Sequence, residues 1–301
     1  MIRLQRASVF SAVFAAVFCT PLLANASTRR HDVPAADYTS LGAQYTTVGG
    51  VLVGASFGSA TLIGTNWILT AAHVPGALTS GSFFLNGNTY AVTNIVRDPL
   101  WSGSVGIGGH DFALGFIAGG VAGVTPSGYY AGADELGKVG TSVGFGLTGT
   151  GLTGATGLGA KRGFQNVIDG RDIDPGLAGL IADFDKPDGS TNTLGSIGSS
   201  PTPLGLEGNA AQGDSGGGLF ADFFGTQLLV GVTSYAAQAD FNAGDPIGKY
   251  GDATGWADIS VGASWIEQVT GIAPVNPVPE PASMAVLALG ALAVLRRRRK
   301  N

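Results

Sequence analysis

Cysteine is nearly absent from this 301-residue chain. The one cysteine, Cys19, lies close to the N-terminus. That excludes a disulfide scaffold and any zinc or iron–sulfur site built on cysteine. Charge is also scarce, at 12% Asp, Glu, Lys and Arg against roughly 25% in an average domain. The net charge of −5 argues against a dedicated nucleic-acid binder, which needs a basic face. There are only three histidines, His31, His73 and His110, so imidazole chemistry has few places to be. What is abundant is apolar residues (45%) and glycine (50 residues). The apolar content excludes a disordered chain. The length allows one large domain or two modest ones with real cores.

Both ends differ from the body. Arg3 and Arg6 precede a mostly apolar stretch, Val9 to Leu23, and Ala24-Asn25-Ala26 follows. This is the pattern of a secretory signal peptide over residues 1–26, with Ser27 as the first mature residue. An uncleaved anchor is the alternative, for which the apolar run is short. Cys19 falls inside this segment and lacks the small residues that precede a lipoprotein cysteine. At the other end, Val278-Pro279-Glu280-Pro281 leads into an apolar run from Ala282 to Leu295, then Arg296 to Arg299 and Lys300. These three parts in order resemble a PEP-CTERM sorting tail. The resemblance implies export, and cleavage near Pro279 by an exosortase-like partner. The apolar run is about 21 Å of helix against a hydrocarbon core of about 30 Å. That suits a transient membrane stop, with a simple tail anchor as the alternative. The basic cluster would stay on the cytoplasmic side. Without the two ends, residues 27–278 carry a net charge of −11.

The body reads as short apolar segments separated by Gly, Asn, Ser and Thr. Val51–Val53, Thr61–Ile63, Trp67–Thr70, Ser82–Leu85, Tyr90–Val96, Phe112–Ile117, Leu228–Ser234 and Trp256–Ile259 are the clearest. Asn86-Gly87 signals a tight hairpin. Many short strands predict an all-β sandwich or barrel. Residues 27–43 read as an N-terminal arm, Gly146 to Gly163 as a loop, and Asp169 to Gly205 as a long polar loop. Ser260 to Thr270 is the best helix, with Ser260 as a candidate N-cap and Gly271 as its stop.

Three segments carry chemistry: Thr70-Ala71-Ala72-His73, Asp111-Phe112-Ala113-Leu114 and Gly213-Asp214-Ser215-Gly216-Gly217. Together and in this order they resemble the motifs of the trypsin/chymotrypsin family of serine endopeptidases, over roughly residues 44–271. The resemblance implies two six-stranded antiparallel β-barrels, about 44–135 and 139–260, followed by a short C-terminal helix and a linker over 272–278. It implies Ser215 as nucleophile, His73 as general base and acid, and Asp111 as the group that orients His73. Such a set answers a chemical need. A serine hydroxyl attacks poorly until an imidazole takes its proton, and the imidazole needs a buried carboxylate to fix its tautomer. The amides of Gly213 and Ser215 would form the oxyanion hole. Ser234, Tyr235 and Ala236 would bind the substrate backbone, and Asn209, Ala236 and Gly255 would line the primary pocket. Asn209 is neutral, which argues against strict cleavage after Arg or Lys. No cofactor or metal is implied. Asp169, Asp172, Asp174, Asp183, Asp185 and Asp188 read as solvated acidic loops more than as a calcium site.

The same Gly213–Gly217 segment also fits the G-x-S-x-G elbow of α/β-hydrolases, but in those enzymes the His follows the Ser. Here every His precedes Ser215. A subtilisin-like order would have to recruit Asp32 or Asp37. His110 and His31 read as surface or packing residues. Val74 replaces a cysteine common in the family. No activation segment of the family's I-V-G-G type is visible, so the partner of Asp214 is left open between Arg29, Arg30 and a processed N-terminus. The function implied is exported peptide-bond hydrolysis, with a catalytically silent surface or adhesion protein, or an esterase, as alternatives.

Overall fold

The computed structural model describes residues 27–157, 160–173, 178–238 and 245–277. The proposed signal peptide and nearly all of the sorting tail lie outside the described residues. The chain begins with a short strand, β1 (Thr28–Arg29), and a helix, α1 (Ala35–Gln44). Seven strands follow: β2 (Val48–Val53), β3 (Ser56–Gly64), β4 (Trp67–Thr70), β5 (Gly81–Leu85), β6 (Asn88–Val92), β7 (Asn94–Arg97) and β8 (Ala113–Phe116). They form one antiparallel sheet in the order β6-β5-β2-β3-β4-β8-β7. Asn86 and Gly87, both at positive φ (50° and 80°), make the tight β5–β6 turn that the Asn-Gly pair predicts.

The remaining strands are β9 (Val139–Gly144), β10 (Thr148–Thr150), β11 (Gly154–Gly157), β12 (Arg162–Val167), β13 (Gly170–Arg171), β14 (Leu180–Asp183), β15 (Gly208–Asn209), β16 (Gly218–Phe223), β17 (Thr226–Ala237) and β18 (Ala253–Asp258). Seven of them build the second antiparallel sheet, ordered β12-β9-β16-β17-β18-β14-β13. The architecture is therefore two curled antiparallel sheets of seven strands each, where the resemblance implied six. A third, small sheet, β11-β10-β1-β15, joins the N-terminal segment to the loops of the second half.

The cores are filled by the apolar residues of these short strands, several of which are buried on both faces. Leu62, Ile68, Leu69, Phe83, Phe112 and Leu114 fill the first half, and Phe164, Leu180, Leu219, Phe223, Val230 and Trp256 fill the second. The last helix, α2 (Ile259–Thr270), buries Ile259, Ala263 and Ile266 against the first core. Its N-cap is Asp258, whose carboxylate accepts from the Ser260 N–H, and Gly271 at φ 71° stops it. Past it, Val275 N–H bonds the Tyr129 carbonyl, and the Tyr129 hydroxyl bonds Ile272, so the linker lies on the body.

Three segments depart from the sequence expectations. Residues 27–43 are not a solvated arm: β1 is inserted in the small sheet, and α1 packs on β12 with Tyr38 fully buried, its hydroxyl donating to the Glu207 carbonyl. The Gly146–Gly163 loop contains β10 and β11. The polar loop Asp169–Gly205 contains β13 and β14, and Asp183 and Asp185 are buried there. A four-residue strand flanked by Gly and Asp carries too little periodicity to be seen locally.

Candidate functional site

His73 stands in the turn that leaves β4, just after the buried Ala71 and Ala72. Asp111 stands just before β8, which pairs with β4, so the topology brings the two together across 38 residues. Asp111 Oδ1 accepts the backbone N–H of His73 (3.0 Å) and Oδ2 meets His73 Nδ1 (2.7 Å). This two-point contact holds the ring by both its backbone and its nitrogen. The Asp111 side chain is 4% exposed and that of His73 is 24% exposed. The carboxylate is shielded while the imidazole edge faces solvent. With Nδ1 engaged, the ring nitrogen left to act is Nε2.

A third bond reaches the same carboxylate. Ser234, on β17, donates its hydroxyl to Asp111 Oδ2 at 2.6 Å. Sequence reasoning gave Ser234 only a substrate-binding part. The contact joins residues 123 apart, and nothing in the local pattern announces it.

Ser215 lies in the turn between β15 and β16. Its carbonyl accepts the Ser59 N–H of β3 (2.8 Å), and Gly216 N–H and Gly217 O pair with Thr233 of β17 (both 2.8 Å). The turn is thus clamped between the two sheets. Gly216 has φ 85°, and a Cβ there would fall 2.1 Å from Thr70 Oγ1 and 3.0 Å from Ala71 N. This close approach sets the Ser215 turn against the segment that carries His73, two residues beyond Ala71. Val74, in the place of the family's cysteine, is buried and packs beside Gly58 and the Ser215 carbonyl. The Ser215 hydroxyl makes no hydrogen bond with His73 in this structure. Gly213 has φ 98°, and the N–H groups of Gly213 and Ser215 donate to no described residue, whereas those of Asp214, Gly216 and Gly217 are all used.

Asp214 is buried beneath this turn. Its Oδ1 accepts the Gly146 N–H (2.9 Å), and its Oδ2 accepts the N–H groups of Ala211 (2.9 Å) and Ser27 (3.0 Å). Burial pushes its carboxyl up to about 6. Arg30 instead pairs with Asp32 and bonds the Leu204 carbonyl, and Arg29 bonds the carbonyls of Arg30 and Val33.

The residues expected to line the primary pocket contact one another and their neighbours. Asn209 is fully buried on β15. Its Oδ1 accepts the hydroxyl of Thr254 (2.6 Å), and that hydroxyl accepts the Ala210 N–H (2.9 Å). Gly255 lies under the Tyr235 ring, where a Cβ would come within 2.1 Å of the ring carbon. Thr254, opposite Ala236 in the β17–β18 ladder, is the residue that reaches Asn209. The ladder shifts register between Thr233 and Tyr235, which sequence spacing does not reveal.

The other histidines are engaged elsewhere. His110 Nδ1 meets Asp98 Oδ2 at 2.8 Å, and His31 Nδ1 meets the Tyr250 hydroxyl at 2.8 Å. Asp32, bound to Arg30, is not a partner of His73. Among the described residues, no group of three or more His, Cys, Asp or Glu is arranged to hold a metal ion. A cleft of about 610 Å³ between α1, β9 and β16, lined by Tyr45, Gln165 and Phe220 among others, contains none of these site residues.

Comparison with solved structures places the fold. The chain is similar to neuropsin, a serine protease expressed in the limbic system of mouse brain, at 17% identity and a TM-score of 0.54, over 76% of this chain and 96% of that one. It is similar to HL collagenase at 20% identity and a TM-score of 0.53, over 77% and 96%. The fold is that of the trypsin-like serine proteases. Residues 277–300 match the PEP-CTERM protein-sorting motif. No curated protein matches the sequence. Among the described residues no helix is long and apolar enough to cross a membrane.

Proposed function

We infer that this protein is an exported serine endopeptidase that acts through a Ser215–His73–Asp111 triad and an acyl-enzyme. The observation that carries this reading is the two-point hold of Asp111 on His73, beside a Ser215 turn with two undirected amides. Ser215 Oγ attacks the scissile carbonyl carbon as its proton passes to His73 Nε2. Asp111, already bonded to Nδ1–H, stabilises the imidazolium that results. The carbonyl oxygen becomes an oxyanion within reach of the Gly213 and Ser215 N–H groups. One such donor is typically worth about 3–4 kcal/mol. His73 then gives its proton to the leaving amine. Water, activated by the same imidazole, releases the acyl group. No cofactor enters these steps.

The neutral, buried Asn209–Thr254 floor favours an uncharged side chain in the primary pocket. The leader over 1–26 and the sorting motif support export and surface sorting, with an exosortase-like enzyme as the processing partner at the tail. A fluorophosphonate probe tests the reading: it labels the folded protein, and Ser215→Ala abolishes the label. One observation favours a second reading, a catalytically silent surface protein with a protease fold. The Ser215 hydroxyl is not bonded to His73. An unlabelled, folded wild-type protein would decide for it.

A further inference from the structure

We propose that Asp98 and His110 form a positioning pair, which fixes the turn that aims Asp111 at His73. The rate readout rests on the protease reading above; the effect on the Asp111–His73 bond does not.

Asp111 sits where the chain changes character. On its C-terminal side Phe112 is fully buried, its ring against Gly262 of α2, and β8 follows. On its N-terminal side is the loop 99–109. There Gly103, Gly106, Gly108 and Gly109 all have positive φ, and Leu100, Val105 and Ile107 are exposed. A glycine-rich surface loop has little stiffness of its own. Asp111 is the middle residue of a three-residue turn, closed by the Phe112 N–H on the His110 carbonyl (2.8 Å). One bond closes such a turn, so the direction of its middle side chain depends on what holds its two flanks.

Asp98 holds both flanks. It directly follows β7, and its N–H bonds the Phe112 carbonyl (2.9 Å), which extends the β7–β8 ladder by one step. Its side chain reaches the other flank: Oδ2 meets His110 Nδ1 at 2.8 Å, across 12 residues. Asp98 is anchored in turn. Its Oδ1 accepts the Leu100 N–H (2.9 Å), its carbonyl accepts the Trp101 N–H (3.1 Å), and its side chain is 1% exposed. One residue thus grips Phe112 by its backbone and His110 by its carboxylate, on either side of Asp111. The loop is closed at its base, and displacements within 99–109 end at His110 instead of reaching Asp111. This matters because Asp111 acts on His73 through a 2.7 Å bond, and a misplacement of about 1 Å in such a site costs up to about 100-fold in rate. The tether needs a donor at the place of Nδ1 and an acceptor on residue 98; it does not need charge.

The test compares the wild type with three variants. Asp98→Ala combined with His110→Ala removes the pair and leaves no buried charge behind. His110→Asn places an amide N–H where Nδ1–H stood and restores the bond. Asp98→Asn donates to the other tautomer of His110 and keeps the bond without the charge. The readouts are the rate of fluorophosphonate labelling, peptide hydrolysis resolved into kcat and KM, and the proton NMR signal of His73 Nδ1–H, which its bond to the Asp111 carboxylate moves downfield. The double variant is expected to label about 10- to 100-fold more slowly, to lose kcat with KM changed less than about 2-fold, and to show a shifted or broadened signal. Both asparagine variants are expected to stay within about 3-fold of the wild-type rate. If the double variant does not melt cooperatively, His110→Gln, whose amide lies one carbon further out, replaces it with the same expectations. A wild-type signal in the variant that lacks the bond overturns the inference and leaves the protease reading to stand on labelling. Asparagine variants as slow as the double variant also overturn it. A signal that shifts with loss of the pair while no form is labelled supports the positioning and overturns the protease reading.

Discussion

Replacing Asp111 with asparagine separates folding from catalysis at this site. The carboxylate accepts three hydrogen bonds, from His73 N–H, His73 Nδ1–H and the Ser234 hydroxyl, and donates none. In Asp111→Asn the amide oxygen keeps the His73 N–H at the Oδ1 position. The NH2 group then occupies the Oδ2 position, where it must donate to Nδ1 and to Ser234 Oγ. Both can accept, but the buried Ser234 O–H loses its acceptor, so the cost in stability is expected to be about 1–3 kcal/mol. The imidazole, however, is forced into the tautomer with its proton on Nε2, the nitrogen that has to receive the Ser215 proton. Loss of the anion also removes the stabilisation of the imidazolium. The two effects together are expected to lower acylation by about 10⁴-fold at pH 7–8. The assay is the rate of fluorophosphonate labelling or peptide hydrolysis, with a thermal melt as control for folding. A variant that melts like the wild type and keeps more than a tenth of its rate would refute the argued role of Asp111.

Further outcomes follow from the same contacts. Ser234→Ala removes a 2.6 Å hydroxyl bond to that carboxylate and is expected to slow acylation by about 10- to 100-fold, with rescue by Ser234→Thr; an unchanged rate would make Ser234 only a strand residue. Gly216→Ala places a Cβ 2.1 Å from Thr70 Oγ1 and 2.2 Å from Ser59 O at φ 85°, and is expected to cost more than about 3 kcal/mol, read as loss of a cooperative melt. Burial and mutual repulsion raise Asp169 to about 6, Glu207 to about 7 and Asp185 to about 8. Raised carboxyls favour the folded state while protonated, so this stability is complete below the ordinary carboxylate range and declines as pH climbs through about 6–8. The melting temperature is expected to be at least about 3 °C lower at pH 8.5 than at pH 5, and Asp185→Asn is expected to flatten the slope; a melt insensitive to pH in this window would contradict the burial argument.

Some of this organisation is legible in the sequence because its cause is local. Short apolar runs bounded by polar and glycine residues mark Trp67–Thr70 and Leu228–Ser234, Asn86-Gly87 specifies its turn by backbone sterics, and Gly271 stops α2. The order of the His73, Asp111 and Ser215 motifs pointed to the fold as a whole. What escaped is set by distance along the chain. Thr254 meets Asn209 across 45 residues of chain, and the β17–β18 ladder slips by a residue nearby. Ser234 finds Asp111 across two sheets. Residues 27–43 read as an arm because Thr28–Arg29 is too short to show a period and Ala35–Gln44 has a weakly apolar face, yet both are held by neighbours far away in sequence. Asp183 and Asp185 read as solvated because aspartates in a glycine-rich stretch usually are; here β14 carries Asp183 inside, and Asp185 follows it into the interior, where its N–H bonds Glu207.

The central claim is that the Ser215 hydroxyl is a nucleophile activated by His73. Its most direct measurement is mass spectrometry of the purified protein after exposure to a fluorophosphonate. The account predicts a single phosphonyl adduct on Ser215, lost in His73→Ala and slowed in Asp111→Asn. A folded protein that forms no adduct, or forms it equally fast without His73, would contradict it.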